Sequence, residues 1–153
     1  MMFNLRVYGI LINDKDQILL SDEYIRGEFY TKFPGGGLEI GEGTRECLKR
    51  EFKEEMDLAV EVQEHFYTTD FYQQSAFNPD HQIISIYYLV TPLEEITFSL
   101  TEKEFDFTEN QLQVYKEKSE IETFRFMDLK DFSAEKVTLP IDKTVANLIC
   151  NRK

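Results

Sequence analysis

Three glutamates define the chemistry open to this chain. Glu51, Glu54 and Glu55 stand three and four residues apart, a spacing that on a helix gathers their carboxylates within an arc of roughly 100°. Leu48, Phe52, Met56 and Ala59 fall on the adjoining arc of about 80°, the stripe a helix turns toward a core. Lys49, Lys53 and Glu46 take the solvated side, and Arg50 reaches Glu54 four residues on. Alone, such a run is an ordinary acidic surface, because repulsion between neighbouring carboxylates costs only ~0.2–0.5 kcal/mol per pair. The glycine run 35–37 ahead of it changes the reading. A chain without side chains lets backbone carbonyls approach the same place, and carboxylates with carbonyls make the all-oxygen donor set that a hard divalent cation takes.

The elements that position these groups are read from periodicity. Residues 44–56 carry the helical period. Residues 5–12 and 17–20 read as strands joined by a turn at 13–16, and residues 22–32 as irregular and polar. Residues 33–37 read as a punctuated loop, since three glycines suit neither helix nor strand interior. An alternating segment follows at 60–72, then a turn at 78–80 and the most hydrophobic strand, 81–91, at the centre of the sheet. Residues 94–120 are acidic and weakly periodic, with one strand expected at 96–100 among mobile loops. Residues 122–127 alternate, 128–132 suggest a helical turn, and 141–150 suit a closing helix after Pro140. With no repeat or linker, the expectation is one α/β domain over residues 1–153 with a mixed sheet.

Composition removes whole classes of function. Asp and Glu number 29 against 17 Lys and Arg, for a net charge of −12 and an isoelectric point near 4.6. Duplex nucleic acid needs excess cation at its binding face, and an anionic membrane surface needs the same. With 42 % hydrophobic residues there is ample apolar surface for a core, which argues against disorder. Cys47 and Cys150 fit neither a disulfide framework nor a four-ligand zinc site, and Cys47 reads as a small apolar filler on its helix. No secretory signal and no bilayer-length apolar run is present, so the expectation is a reduced, soluble, cytoplasmic protein.

Residues 36–58 resemble the Nudix box: Gly, five residues, Glu, seven residues, Arg-Glu, an apolar residue, any residue, Glu-Glu, any residue, Gly, apolar. Gly36, Glu42, Arg50, Glu51, Phe52, Glu54, Glu55 and Leu58 match it, and Asp57 stands where the family has glycine. A glycine there usually closes the helix in the left-handed conformation, which aspartate tolerates at some cost. The expectation is a weakened helix end and an intact acidic face. The resemblance implies the family's α/β/α sandwich, a mixed sheet flanked by helices.

It also implies a metal-dependent hydrolase of a nucleoside diphosphate linked to another moiety, a nucleotide sugar or similar compound, using Mg²⁺ or Mn²⁺. Glu51 is then a metal ligand and the first candidate for the base. Glu54 and Glu55 are further ligands, and a backbone carbonyl of Gly35 or Gly36 completes the shell. Arg50 is assigned as an orienting partner of these glutamates, with Glu42 and Glu39 next in rank. The family's distal base leaves Glu94, Glu95, Glu102 and Glu104 open. Arg26, Lys32 and Glu39 are candidates for substrate contact. Tyr24, Tyr30, Tyr67 and Phe71 are candidates to stack a base, with core packing the alternative, and His65 and His81 read as structural. Two other functions stay open: a house-cleaning hydrolase of nucleoside triphosphates, and a non-catalytic nucleotide-binding or sensor module. The partner expected is a nucleotide-derived small molecule, and a homodimer through an exposed sheet edge is left open.

Overall fold

The computed structural model describes residues 1–152. In chain order the elements are β1 (Met2–Leu11), β2 (Gln17–Ile25), β3 (Glu28–Lys32), β4 (Gly35–Gly37), α1 (Thr44–Met56), β5 (Val60–Thr68), β6 (His81–Pro92), α2 (Glu109–Lys118), β7 (Glu120–Asp128) and α3 (Pro140–Asn151). Two single 3₁₀ turns, Leu129–Asp131 and Ala134–Lys136, precede α3. The chain is built as two compact units, residues 1–12 with 34–98, and residues 13–33 with the chain from Ser99 onward.

In the first unit four strands lie in the order β4-β1-β6-β5. β1 runs parallel to β6 and antiparallel to β4, and β5 is antiparallel to β6, so the sheet is mixed. Helix α1 lies on one face and buries Cys47, Leu48, Phe52 and Met56, the stripe its 3.6-residue period predicts. The fit leaves no slack: a Cβ on Gly9 would sit 2.8 Å from the Phe52 ring. In the second unit β3-β2-β7 form an antiparallel sheet, and α3 buries Ile141, Val145, Ala146 and Ile149.

Four expectations are corrected. Residues 22–32 are not irregular: β2 continues to Ile25, turns through Arg26 and Gly27 at positive φ, and returns as β3. Among the polar residues that disguised this hairpin, Asp22, Thr31 and Lys32 are buried, with Thr31 bonded to Asp22 and Lys32 paired with Glu23. Gly35–Gly37 is not a loop but a strand, β4, in register with Arg6, Val7 and Tyr8. A side chain at Gly35 would place its Cβ 2.1 Å from the Val7 carbonyl oxygen, so only glycine permits this pairing. No strand forms at 96–100, where Leu100 makes only an isolated bridge to Phe124. Within 94–120 lies a helix instead, α2, capped by Thr108 and Gln111 and burying no residue of its own.

Asp57 closes α1 at φ 49° and ψ 43°, in the left-handed conformation, with its N–H on the Lys53 carbonyl. Its carboxylate takes an ion pair with Lys53 at 2.7 Å, an exposed contact worth ~0.3–0.5 kcal/mol. Relief of the left-handed strain outweighs this, as a Cβ in that conformation costs ~1 kcal/mol. D57G is therefore expected to raise the melting temperature by about 2 °C and leave Mn²⁺ affinity unchanged. A shift in metal affinity beyond about threefold would contradict it.

Candidate active site

The site is built where β4 meets α1. Successive strand residues face opposite sides of a sheet, so Gly36 faces α1 while Gly35 and Gly37 face away from it. Gly36 is buried, and a Cβ there would lie 2.5 Å from the Glu51 carboxyl carbon and 2.6 Å from both its oxygens. The Glu51 carboxylate thus rests against bare backbone. Its side chain is 12 % exposed, a carboxylate tucked against the sheet with one edge toward solvent.

Arg50 ties this face together. Its Nε and Nη2 donate to the two oxygens of Glu42 at 2.9 and 2.7 Å, a bidentate pair. Nη2 also donates to the Gly37 carbonyl at 3.0 Å, and Nη1 to Glu51 at 3.0 Å and Glu54 at 3.2 Å. Glu39 lies 3.6 Å from the same Nη1. One guanidinium therefore holds the loop, the strand and the helix in one frame. Glu42, chiefly, and then Glu51 raise the Arg50 pKa further above its ordinary value, so the hub stays charged. Burial first, and then Glu42, push the Cys47 thiol up to about 12. That keeps it neutral beside the acidic face and suits a packing role.

Glu42 shows the reverse effect. The hydrogen bond from Arg50, aided by the Glu39 N–H, holds its carboxyl down at about 2 against an ordinary 4.5. A depressed carboxyl stabilises the fold fully above about pH 4.5 and loses that contribution as the pH falls toward 2. E42Q is therefore expected to flatten stability across that window, read from urea melts at stepped pH, while the wild type declines through it. Parallel profiles would refute the assignment.

The other sequence candidates take the following places. Glu54 is exposed and Glu55 half-buried on α1. Arg26 sits at the exposed tip of the β2–β3 turn, its backbone N–H on the Ser119 carbonyl. Lys32 is buried and pairs with Glu23 at 3.2 Å. Glu94 accepts the Ala59 N–H at 2.9 Å, closing the turn after α1, and Glu95, Glu102 and Glu104 are exposed. Tyr24 is stacked between Phe29 and Tyr115, and Tyr67 donates to Asp70. His65 bonds Thr68 and His81 contacts Asn78. Spacing alone does not show the anchoring of Arg50 on Gly37 and Glu42, because strand and loop meet the helix only in three dimensions.

Among the described residues no group of three or more His, Cys, Asp or Glu side chains is already drawn together as a metal cage. The donor chemistry nevertheless fits a hard divalent ion. Glu51, Glu54 and Glu55 on α1, with the backbone of Gly35 and Gly36, offer oxygen alone, and the bare Gly36 lets the Glu51 carboxylate lie against that backbone.

A model of the NUDIX domain matches residues 2–148 of this chain. The chain belongs to the Nudix family. Among solved structures the Nudix chain is similar to MutT from Methanosarcina mazei Go1, at 15 % identity and a TM-score of 0.68, over 98 % of this chain and 94 % of that one. It is similar to a MutT described for Aliivibrio salmonicida and Vibrio cholerae, at 18 % identity and a TM-score of 0.66, over 99 % of each chain. It is also similar to an ADP-ribose pyrophosphatase from Streptococcus suis 89-1591, at 18 % identity and a TM-score of 0.58, over 97 % of this chain and 90 % of that one. No curated protein matches. The likenesses show the Nudix fold, an α/β mixed sheet with flanking helices. Nudix hydrolases generally use divalent metal ions. No helix among the described residues is long and apolar enough to cross a membrane.

Proposed function

We propose that this Nudix chain hydrolyses a phosphoanhydride bond in a nucleoside diphosphate linked to a second moiety, such as a nucleotide sugar, with Mg²⁺ or Mn²⁺ required. The observation that supports this best is the Glu51 carboxylate held against Gly36 and fastened by Arg50. Preorganised carboxylate geometry is what a metal-dependent hydrolase must supply, since misplacement by even 1 Å costs about 10²-fold. The similarity to an ADP-ribose pyrophosphatase supplies a precedent on this fold for a nucleoside-diphosphate-linked substrate.

Glu51, Glu54 and Glu55 would hold the ion, with the carbonyl of Gly35 or Gly36. When bound, the ion offsets phosphate charge and acidifies water for attack. Glu51 is the first candidate to take the proton of that water, with a distal glutamate among Glu94, Glu95, Glu102 and Glu104 the alternative. Arg50 acts on the glutamates: its Nε–Nη2 fork grips Glu42 as counter-charge, which leaves Nη1 to orient Glu51 and Glu54. The bare β4 strand lets the Glu51 carboxylate lie beside the Gly35 and Gly36 carbonyls, which a side chain at Gly36 would prevent.

The test is turnover of a panel of UDP-sugars, ADP-ribose and nucleoside triphosphates with each ion, both products identified by mass. A nucleoside monophosphate and a sugar phosphate are expected. Turnover confined to triphosphates, releasing pyrophosphate, would move the chain to house-cleaning chemistry. Nucleotide binding with no turnover of any compound would make it a sensor module.

A further inference from the structure

The face of β4 turned away from Glu51 carries a second feature. Arg6 and Tyr8 of β1 are in register with Gly37 and Gly35, so their side chains share the face on which those glycines offer none. The Arg6 Nη1 lies 3.6 Å from the point a Gly37 Cβ would take, and the Tyr8 ring 2.9 Å from the corresponding point at Gly35. An arginine and a tyrosine reaching across from the neighbouring strand thus fill the place of the missing side chains. Arg6 is held in this pose: its Nε donates to the Tyr8 hydroxyl at 2.6 Å, with the guanidinium carbon 5.7 Å from the Tyr8 ring centroid. Tyr8 is itself buried and lies against Tyr87, with ring centroids 5.4 Å apart. Arg6 remains partly exposed. β4 ends its sheet, and three glycines raise no wall between its two faces.

We propose that Arg6 binds a phosphate of the nucleoside-diphosphate substrate on the face of β4 opposite Glu51, with Tyr8 as its positioning residue. This rests on the hydrolase reading above and adds a specificity-determining cation to it. A pyrophosphate laid over the edge of β4 meets acidic oxygens on one face and a guanidinium on the other. In a chain of net charge −12, an arginine held across β4 from the acidic face supplies attraction where the general field repels an anion. The planar fork suits phosphate oxygens in a way an ammonium does not.

The experiment compares wild type, R6A, R6K and Y8F by steady-state kinetics on the best substrate of the panel, by calorimetry with Mg²⁺-ADP, and by Mn²⁺ titration without nucleotide. R6A is expected to raise KM 10- to 100-fold with kcat within about threefold. R6K should recover part of the loss, and Y8F should cost about three- to tenfold in KM. Mn²⁺ affinity and melting temperature should be unchanged in R6K and Y8F, which a merely structural role for Arg6 would not produce. Wild-type KM in R6A, or a loss in R6A restored fully by R6K, overturns the phosphate fork. Should the wild type turn over nothing, the hydrolase reading falls separately. Calorimetry then decides the Arg6 assignment: weaker Mg²⁺-ADP binding by R6A upholds it, and equal binding or none by both proteins overturns it.

Discussion

G36A should fold and should not work. The Cβ it adds would sit 2.5–2.6 Å from the Glu51 carboxyl group, well inside contact distance, but that group is the free end of a side chain and can swing away. Melting should therefore fall by only a few degrees, while metal-dependent turnover drops at least 10²-fold as Glu51 leaves its seat. E51Q supplies the control: it keeps the shape and one acceptor oxygen but removes the charge, and should lose turnover by a similar or larger factor with the fold intact. G35A gives the opposite result. There the added Cβ would meet the Val7 carbonyl oxygen at 2.1 Å and the Tyr8 Cα at 2.7 Å, both backbone atoms that cannot move without breaking β1. Loss of soluble, folded protein is expected, whatever the state of the acidic face. Neighbouring glycines, one chemical and one structural, are separated by circular dichroism and turnover together. Full activity in G36A would show that the seat of Glu51 against the strand is irrelevant to catalysis.

The contrast also explains what the sequence disclosed. Helix α1 was legible because its 3.6-residue apolar stripe is a local signal, and its end because Asp57 stands where a glycine closes the helix. The acidic arc was legible for the same reason, its spacing being a property of one helix. The role of the glycine run as a strand was not. Its cause is the crowding of Gly35 against Val7 and Tyr8, a contact made across 27 residues of sequence that no local rule contains. Arg50 shows both sides of this. Its pairing with Glu54 follows from helical spacing, whereas its bidentate hold on Glu42 and its bond to Gly37 depend on how the loop returns. Helix α2 was missed because it turns no buried stripe to a core. The capping pair of Thr108 and Gln111 was its one local signature.

A second large effect, on stability, is expected in the segment whose polarity hid the β2–β3 hairpin. Asp22 is fully buried and Arg125 nearly so. The guanidinium Nε donates to Asp22 Oδ2 at 2.6 Å and Nη2 to Oδ1 at 3.2 Å. The same carboxylate accepts the Thr31 hydroxyl at 2.7 Å and the Phe105 N–H at 3.3 Å. One acidic group thus satisfies donors from β3, β7 and the approach to α2, and β2 carries a charge in its interior because the neighbouring strand supplies the opposite one. Taking both ions out of water is costly, so the intact pair adds little net stability, but breaking it strands a buried guanidinium. D22A is expected to lose ~3–5 kcal/mol, a large part of the ~5–15 kcal/mol that holds a typical domain folded. The apolar double replacement D22L/R125M should lose clearly less than D22A, because no buried charge is left unpaired, although Thr31 and the Phe105 N–H still want an acceptor. Urea melts of the three proteins decide it. A D22A loss under about 1 kcal/mol would mean that water reaches Arg125, and equal losses in D22A and the double variant would mean that the cost lies in the hydrogen bonds rather than in the stranded charge.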